Sequence, residues 1–382
     1  MSALPLPLHD LHRAAGARFV TLGRWGGLEA VASYPDRRGE HSPEAEHRAV
    51  QESVGLVDQT YRGIVDVCGG KAPALLDRIT SNHAGRLQPG SRGQAACILT
   101  AKGRLAGAFH IFRLDEQSYR VVLFEPTRDA FIRELRKYAF LEDVEVADRT
   151  GDMVLLSLQG PRADDLLQAL AGPSGSLGEP ALSRVSLEVH GHPVVAVRSA
   201  SSETRAGGLE LWVEEARVHD LWIIVVDALR HAGGRAVGWT ALESLRIEAG
   251  FARYGMDYDE QSFPVEIGWD HALTYDKCYV GQEIVARMRT YGQVNRKPFQ
   301  VLLPPGGERL PDDVAGGVPA PGTPLLAGAE EAGQITSSCS SFLERRPLAL
   351  ARIKRRFWGA ELTLGGAEGL GPLEVRELPG QP

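Results

Sequence analysis

An internal repeat constrains the fold of this chain more than any other feature. Residues 65–79, VDVCGGKAPALLDRI, and residues 156–170, LSLQGPRADDLLQAL, share one pattern: a run typical of a β-strand, a glycine, and a helical segment with two adjacent leucines. Gly69 and Gly160 occupy equivalent positions in the two segments. We interpret the repeat as a duplicated strand, turn and helix, although two unrelated α+β segments can also look alike.

A second pair of segments follows the first pair at the same shift along the chain. Residues 119–138 and residues 210–229 each show a strand pattern followed by an amphipathic helix. The repeat therefore predicts two related, ferredoxin-like α+β lobes, at roughly residues 50–145 and 150–250.

The chain has 382 residues, more than one typical core supports, so two or three domains are expected. Residues 303–323 are rich in proline and glycine and predict a loop. The short apolar runs beyond them, broken by glycines, are typical of a small antiparallel β-barrel or sandwich. We place the domain boundary near residue 295, which gives domains at 1–295 and 296–382.

A short helix is predicted at residues 241–249. Thr240 and Glu243 have the spacing of a capping box, and Gly250 stands where a helix would end. Arg246 lies one turn from Leu242 and so beside the apolar face of this helix. An arginine in that position is expected to bind an anionic partner.

Composition excludes several classes of protein. The net charge of -7 argues against direct nucleic acid binding over the whole surface. No apolar run is long enough to span a bilayer and no signal peptide is seen, so a cytoplasmic location is expected. The usual nucleotide, metalloprotease and hydrolase motifs are absent from the sequence. No metal site or disulfide framework is expected, because four cysteines are far apart in sequence: Cys68, Cys97, Cys278 and Cys339.

The segment KCYVGQEIVAR, within residues 276–287, resembles the signature of the YgfZ-type folate-binding proteins. These proteins are relatives of the glycine-cleavage aminomethyltransferase, the T-protein. Further segments resemble the same superfamily in the same order, among them HDLHRAAGARFV, LQGPRADDLL, LRIEAGFARYGMD and GQITSSCSSFLERRPLALARI. The resemblance extends from about residue 8 to about residue 375.

The resemblance implies a three-lobed disk, in which two related lobes and a C-terminal β-barrel surround a central cavity. That cavity would hold tetrahydrofolate or a one-carbon derivative of it. A pterin presents adjacent N–H donors that a buried carboxylate accepts, its faces pack on aromatic or apolar groups, and its glutamate tail binds arginine.

Four residues match folate-contacting positions of the family or lie near them. Glu210, in a strand LELWV, matches the pterin-binding glutamate, and alternation places it on the face opposite Leu209 and Leu211. The alternative for Glu210 is a solvent-facing side chain. The remaining three are Arg246, for which the alternative is a salt bridge to Glu243 or Glu248, and Tyr61 and Trp239, for which it is plain core.

The sequence departs from the aminomethyltransferase at TAKGRLAGAFHIF, residues 100–112. The family's catalytic aspartate, which orients the folate nitrogen that receives the carbon unit, aligns with Gly107 and Ala108. Neither residue can accept a proton or hold a charge. Enzymatic activity is therefore uncertain, and glycine cleavage is disfavoured.

The signature places its cysteine, Cys278, at the mouth of the cavity, where the resemblance implies a catalytic role. Lys277 flanks this cysteine, and Arg287 and Arg289 are close in sequence; these cations would lower the thiol pKa if they converge on it. The alternative is an inert thiol. In the same motif, Gly281 is expected to permit a positive-φ turn, and Gln282 and Glu283 to tie that turn to the next lobe. The remaining motif residues are Lys277 and Tyr279.

The resemblance implies a tetrahydrofolate-binding protein that assists iron-sulfur cluster assembly or repair, with iron-sulfur proteins or tRNA-modifying enzymes as partners. A variant of this hypothesis lets Cys278 handle a cluster directly, which needs ligands from a partner. The alternative is an enzyme, a folate-dependent aminomethyltransferase or demethylase that acts on a small amine.

Overall fold

The structure is a computed structural model of the chain. It describes residues 6–23, 27–140, 142–178, 180–199, 203–292, 294–304, 317–367 and 370–378. Within these ranges the chain forms eight α-helices and nineteen β-strands, and the strands pair into four sheets. The helices of the described residues are too short or too polar to cross a membrane.

An N-terminal arm precedes the repeated part of the chain. Its elements are α1 (His9–Ala14), β1 (Arg18–Leu22), β2 (Leu28–Ser33), α2 (Pro43–Glu52) and β3 (Gly55–Asp58). Strands β1 and β2 pair as an antiparallel hairpin. Helix α2 begins after Ser42, whose hydroxyl accepts a hydrogen bond from the Ala45 N–H at 3.2 Å. Pro43 in the first turn has no N–H to leave unsatisfied, so both residues favour a helix start.

The first lobe is a five-stranded antiparallel sheet with two helices on one face. Its elements are β4 (Arg62–Cys68), α3 (Ala72–Ile79), β5 (Gln94–Leu99), β6 (Leu105–Arg113), β7 (Ser118–Phe124), α4 (Glu125–Ala139) and β8 (Glu145–Asp148). The strand order is β5-β6-β7-β4-β8. The apolar core between sheet and helices includes Val65, Leu75, Phe109 and Phe131.

The second lobe repeats this plan. Its elements are β9 (Met153–Gln159), α5 (Ala163–Ala171), β10 (Arg184–Val189), β11 (His192–Arg198), β12 (Gly208–Glu214), α6 (Glu215–Ala232) and β13 (Arg235–Val237). The sheet has the order β10-β11-β12-β9-β3-β13. Its helix-side core also contains Leu8, Val31 and Tyr34, so the N-terminal arm packs on this lobe.

The two lobes share a positive backbone φ at the glycines that occupy equivalent positions in the sequence repeat. Gly69 has a φ of 128° and Gly160 a φ of 129°. A Cβ at Gly69 would lie 2.3 Å from the Asp143 carbonyl oxygen, and one at Gly160 would lie 2.5 Å from that of Ser53. Each glycine therefore permits a close backbone approach that no other residue allows. This match supports the interpretation of the repeat as a duplication.

The lobes exchange one strand each. Strand β3, which precedes β4 in the chain, pairs with β9 of the second lobe, and β8, which precedes β9, pairs with β4 of the first lobe. Three strands separate the two helices of each lobe, whereas the ferredoxin-like pattern has two. The α+β class is confirmed, and the ferredoxin-like description is corrected in its strand count.

The faces of the two sheets that carry no helices pack against each other. The cluster between them contains Ile64 and Phe112 of the first lobe and Leu155 and Trp212 of the second lobe. Phe112 and Trp212 meet edge to face, with ring centroids 4.8 Å apart. Side chains that alternate with the helix-side core residues therefore point into the space between the lobes.

Residues after the second lobe lead into a C-terminal sheet. The elements are α7 (Trp239–Ala249), α8 (Gln282–Tyr291), β14 (Arg296–Leu302), β15 (Pro324–Ala327), β16 (Glu330–Ser341), β17 (Arg346–Lys354), β18 (Thr363–Leu364) and β19 (Glu374–Glu377). The strands form a curled antiparallel sheet of order β18-β15-β16-β17-β14-β19. Its two edge strands do not pair with each other within the described ranges, so the expected barrel is seen as an open sheet. A closed barrel and a three-lobed disk stay predictions.

Helix α7 begins two residues earlier than predicted and lacks the predicted capping box. Gly238 precedes it, with no hydrogen bond from a side-chain cap. The Glu243 carboxylate, which the capping box requires, instead accepts hydrogen bonds from Arg246 at 3.0 and 2.7 Å. The helix ends at Gly250 in the left-handed conformation, as predicted.

A network of buried ion pairs surrounds Arg246, whose side chain is 0% exposed. Besides Glu243, its guanidinium binds Asp257 at 2.6 Å and the Phe251 carbonyl at 2.8 Å. Burial lowers the pKa of Arg246, but the carboxylates of Glu243 and Asp257 outweigh burial and raise that pKa above its ordinary value. The anionic partners predicted for this arginine are therefore carboxylates of the protein itself, Glu243 and Asp257.

The network continues to other parts of the fold. Arg253 pairs with Glu243 and, at 2.8 Å, with Glu203, which lies ahead of β12. Asp257 accepts a hydrogen bond from the Thr336 hydroxyl of β16 at 2.6 Å. The ion pairs connect α7 to the second lobe, and the Asp257–Thr336 hydrogen bond extends the network to the C-terminal sheet.

The buried network generates a prediction for stability. Arg246→Met should lower the free energy of unfolding by about 3–5 kcal/mol, because it leaves Glu243 and Asp257 buried without their cation. The matched control is Arg287→Met. Arg287 forms an exposed pair with Glu283 at 2.9 Å, and its loss should cost less than about 1 kcal/mol. Urea unfolding measures both, and equal losses would contradict the prediction.

The turn before α8 generates a second prediction. Gly281 has a φ of 81°, and a Cβ there would lie 2.4 Å from the Thr100 carbonyl oxygen. Gly292, at the other end of α8, has a φ of 60° and open space around it. Gly292→Ala should cost about 1–2 kcal/mol for the left-handed backbone alone. Gly281→Ala should cost about 1–3 kcal/mol more because of the clash, as measured by the urea midpoint. Indistinguishable midpoints would refute this role of Gly281.

Candidate functional site

A narrow polar recess lies between the two lobes. It has a volume of about 30 Å³ and is bounded by β4, β6 and β7 of the first lobe and by β9 and β12 of the second lobe. The residues that line it are Gln59, Arg62, Ala108, Phe109, His110, Val122, Leu123, Gln159, Ser199, Glu203, Glu210, Phe251 and Trp269. Two carboxylates, two amides and one guanidinium thus face a space between apolar walls.

Glu210 points into this recess from β12. Its neighbours Leu209 and Leu211 lie in the helix-side core, so Glu210 faces the opposite lobe, as alternation predicts. The side chain is buried, and its Oε2 accepts a hydrogen bond from Trp212 Nε1 at 3.0 Å. Its Oε1 lies 3.9 Å from Arg62 Nη1, beyond hydrogen-bond distance. Oε1 can therefore accept a further donor.

Three other polar atoms in the recess have no hydrogen-bond partner among the described residues. They are Gln59 Oε1, Ser199 Oγ and Glu203 Oε1. Gln59 is 3% exposed and Glu203 is 5% exposed, so water from the surface does not readily satisfy them. A buried polar group without a partner costs about 1–3 kcal/mol. A polar ligand that supplies donors and acceptors here would recover that cost, and the recess therefore fits such a ligand.

A larger cavity of about 650 Å³ adjoins the recess at Ala108. This volume is within the range of small-molecule sites. Its lining includes Tyr254 and Tyr258. Its charged side chains are three cations, Lys102, Arg104 and Arg133, and two carboxylates, Glu134 and Glu260. Its apolar and aromatic wall and its cations suit a ligand with a ring system and an anionic tail.

Another cavity, of about 750 Å³, lies between α2, α6 and the loop at residues 34–38. It shares no lining residue with the recess or with the adjoining cavity. None of the predicted folate-contacting residues lines it. The recess is therefore the better candidate site.

The structure distinguishes the two residues that stand in the place of the family's aspartate. A Cβ on Gly107 would lie 3.4 Å from the Phe131 ring, on the helix side of the first lobe. Ala108 faces the other way and lines both the recess and the large cavity. Ala108 is thus the position where a carboxylate would reach the site, and its methyl group offers no proton acceptor.

His110 is a site residue that the sequence analysis missed. It lies two residues after Ala108 on the same face of β6 and stacks on Trp269, with ring centroids 6.1 Å apart. Burial, with the positive charges of Arg62 and His271, lowers the pKa of His110 to about 3. The imidazole is therefore neutral at physiological pH. Strand alternation from Ala108 could have identified it.

Three of the residues predicted to contact folate lie outside the recess. Arg246 is held in the buried ion network, and its N–H groups bond to protein acceptors. Tyr61 and Trp239 pack edge to face, with centroids 6.3 Å apart, in a cluster that includes Phe251. Phe251 also lines the recess, so these two aromatic residues support its wall from behind. Direct contact of these residues with a ligand stays a prediction.

The signature cysteine, Cys278, is exposed in the turn before α8. Lys277 turns away from it and donates hydrogen bonds to the carbonyls of Asp77 and, at 2.6 Å, Asn82. These acceptors lie in the last turn of α3 and just beyond it, where a helix favours a cation. Burial lowers the pKa of Lys277, and the Asp77 charge opposes that shift.

The arginines that follow in sequence have other partners. Arg287 binds Glu283 at 2.9 Å, and the Arg289 guanidinium lies over the Tyr275 ring, 4.4 Å from its centroid. Glu283 is thus occupied within α8 instead of connecting the turn to another lobe. A catalytic role for Cys278 stays a prediction.

The remaining motif residues shape the turn. Tyr279 is buried in a cluster with Trp269, and Gln282 is the first residue of α8. Gly281 brings the turn against the β5–β6 hairpin, which carries Ala108, because its missing side chain leaves room for the Thr100 carbonyl. In the described part of the chain, no three histidine, cysteine or acidic side chains come together as a metal site.

Comparisons with known proteins extend over nearly the whole chain. Residues 8–277 match the family described as the GCVT N-terminal domain. The aminomethyltransferase of Symbiobacterium thermophilum is 32% identical over 91% of this chain and 88% of its own length. That of Rubrobacter xylanophilus is 31% identical over 98% of this chain and 90% of its own length.

A solved structure shows the same fold. The glycine cleavage system aminomethyltransferase T from Bartonella henselae superposes with a TM-score of 0.82, covering 99% of this chain and 98% of the other, at 22% identity. At that identity the similarity establishes the fold alone.

These findings correct the functional hypothesis of the sequence analysis. The role of a YgfZ-type protein in iron-sulfur assembly and tRNA modification is wrong, because the similar proteins over most of the chain are aminomethyltransferases. Given the match over residues 8–277 and two relatives above 30% identity that span nine-tenths of it, this chain belongs to the GCVT domain family of aminomethyltransferases.

Proposed function

We propose that this protein is a tetrahydrofolate-dependent transferase that takes a one-carbon unit from a small amine. The recess between the lobes is the observation that carries the proposal. It presents the buried Glu210 carboxylate together with polar atoms that have no partner in the described part of the chain. Family membership supports the reaction class, and relatives named aminomethyltransferase cover most of the chain.

The donor set fits a pterin. Oε1 of Glu210 accepts an N–H from the pyrimidine edge, and Gln59 Oε1 accepts another donor from the same edge. Phe251 and Trp269 supply apolar walls for the ring faces. A recess of about 30 Å³ takes the polar edge of a ring, and the adjoining cavity of about 650 Å³ takes the rest.

The glutamate tail would lie toward the cations of the large cavity. Lys102, Arg104 and Arg133 line that cavity and outnumber its two carboxylates, Glu134 and Glu260, so a small excess of positive charge attracts the tail. The Arg104 guanidinium also donates to the Gln261 carbonyl, which fixes its position at the wall. Bound tetrahydrofolate supplies the nitrogen that accepts the carbon unit.

Two observations favour a small amine as the donor of the one-carbon unit. The glycine-cleavage reaction in this family is tied to an aspartate, and here that position is Ala108. The large cavity and the recess meet at Ala108, where a methyl group leaves more space than a carboxylate would. A donor that reaches the acceptor through this space is a small molecule carrying an aminomethyl or N-methyl group.

Folate binding is tested by calorimetry with tetrahydrofolate. Glu210→Gln should weaken binding about ten- to a hundredfold, because it removes a charged acceptor from a buried site. The matched control is Glu214→Gln, since Glu214 lies on the same strand but is exposed and pairs only with Arg217, at 3.3 Å, in the described chain. The control should bind as wild type does. Unchanged affinity in Glu210→Gln would contradict this role for the recess.

The transfer itself is tested with small amines labelled in the carbon of an aminomethyl or N-methyl group. The protein with tetrahydrofolate should move the label onto the folate, as detected by chromatography, and omission of folate should abolish the transfer. An aminomethylated carrier protein serves as the competing donor. Label transfer from the carrier alone would show glycine cleavage and refute the small-amine donor.

A further inference from the structure

The recess that Ala108 borders also contains buried carboxylates. Two carboxylates line the recess, Glu203 and Glu210. Glu210 already receives the Trp212 N–H at one oxygen and, under the proposed function, holds the pterin edge at the other. Glu203 is the carboxylate that the proposed binding mode leaves unused.

Glu203 is buried, and only one of its two carboxylate oxygens has a hydrogen-bond partner among the described residues. Its side chain is 5% exposed, and Oε2 accepts a hydrogen bond from Arg253 Nη2 at 2.8 Å. Oε1 is buried without a hydrogen-bond partner among the residues that the structure describes. Glu203 lines the same recess of about 30 Å³ as Ala108, so the two residues border one small space.

Arg253 fixes the orientation of this carboxylate. The Arg253 side chain is 0% exposed, and its guanidinium also pairs with Glu243 and lies 4.4 Å from the centroid of the Trp239 ring. Its backbone N–H donates to Asp257 at 2.9 Å. A cation held by several groups keeps Glu203 Oε2 in place, and Oε1 is left to face the recess.

We propose that Glu203 is the catalytic carboxylate of this protein, in place of the side chain that Ala108 lacks. This inference rests on the proposed transferase function. Oε1 of Glu203 accepts the proton that the acceptor nitrogen of the folate loses as its electron pair forms the bond to the transferred carbon. For a donor with an N-methyl group, the bond from that methyl carbon to the donor nitrogen breaks, its electron pair leaves with the donor amine, and Glu203 returns the proton to that amine. The carbon keeps its oxidation state, so the step needs no oxidant.

His110 is a weaker candidate than Glu203 for the group that accepts this proton. Positive charge develops on the attacking nitrogen as the bond forms, and an anion stabilises that charge. The pKa of His110, lowered to about 3 by burial and by the Arg62 and His271 charges, shows that its surroundings oppose a positive imidazolium. A neutral ring offers no charge to the step. Glu203 carries its negative charge into the recess from the opposite lobe.

The first test compares wild type with Glu203→Gln, which keeps an oxygen for Arg253. Turnover should fall at least about a hundredfold, as for the loss of a general base. Tetrahydrofolate affinity by calorimetry should fall by no more than about tenfold, because the hydrogen bond from the acceptor nitrogen is lost while Glu210 still holds the pterin edge. Glu203→Gln should lower the urea midpoint relative to Glu214→Gln, because it removes one charge of the buried pair with Arg253, so turnover is compared well below both midpoints. Retained turnover in Glu203→Gln, with wild type active, would overturn the inference while leaving the proposed function intact.

A second readout requires no turnover. 5-Methyltetrahydrofolate carries a methyl group where the acceptor nitrogen of tetrahydrofolate carries hydrogen. Wild type should prefer tetrahydrofolate about tenfold or more, because Oε1 of Glu203 accepts that hydrogen, and Glu203→Gln should lose the preference. Equal affinities for the two folates in wild type would overturn the inference.

A rescue experiment distinguishes a catalytic role of Glu203 from a structural one. The double variant Glu203→Gln/Ala108→Asp places a carboxylate on the facing strand and should regain at least about tenfold in turnover over Glu203→Gln. If Glu203→Gln loses folate binding, stability and turnover together and Ala108→Asp restores none of them, Glu203 has a structural role and the inference fails. If wild type itself neither binds folate nor transfers label, the proposed function fails first.

Discussion

The buried ion pairs around Arg246 and Arg253 hold together the parts of the fold that form the site. Glu243 lies between the two arginines. Burial raises its pKa, but the charges of the arginines outweigh burial and lower that pKa below its ordinary value. A buried ion network contributes little net stability compared with apolar packing, but it permits only one arrangement of its partners. Here that arrangement fixes α7, the segment around Glu203 and the C-terminal sheet relative to one another.

The duplicated lobes explain why a polar recess can exist inside this fold. Each sheet buries one face under its own helices and presents the other face to its twin. Two sheets with right-handed twist pack closely over part of their area and diverge elsewhere. Phe112 and Trp212 fill the close contact, whereas Arg62 and Glu210 occupy a place where the sheets leave room. The exchange of β3 and β8 ties the lobes together, so each half depends on the other for a complete sheet.

Local patterns in the sequence predict part of this structure. The repeat identified the equivalent glycines Gly69 and Gly160, and alternation along LELWV placed Glu210 on the face between the lobes. Both results depend on neighbours within a few residues. The pairing of β3 with β9 spans about a hundred residues and has no local signal, so the strand exchange was not predicted. For the same reason the convergence of Gln59, Ser199 and Glu203 could not be read from spacing.

Under the proposed function, Glu203 of the second lobe supplies the negative charge that Ala108 of the first lobe lacks. In a low-dielectric recess an isolated carboxylate is costly, and a nearby buried cation offsets that cost. The arginine of β6, Arg113, lies five residues from Ala108 and pairs with Glu116, whereas Glu203 pairs directly with Arg253. Arg253, which belongs to the buried ion network, therefore also offsets the cost of burying the Glu203 carboxylate in the recess. Function and fold share one electrostatic network, and a change at Arg253 would alter both.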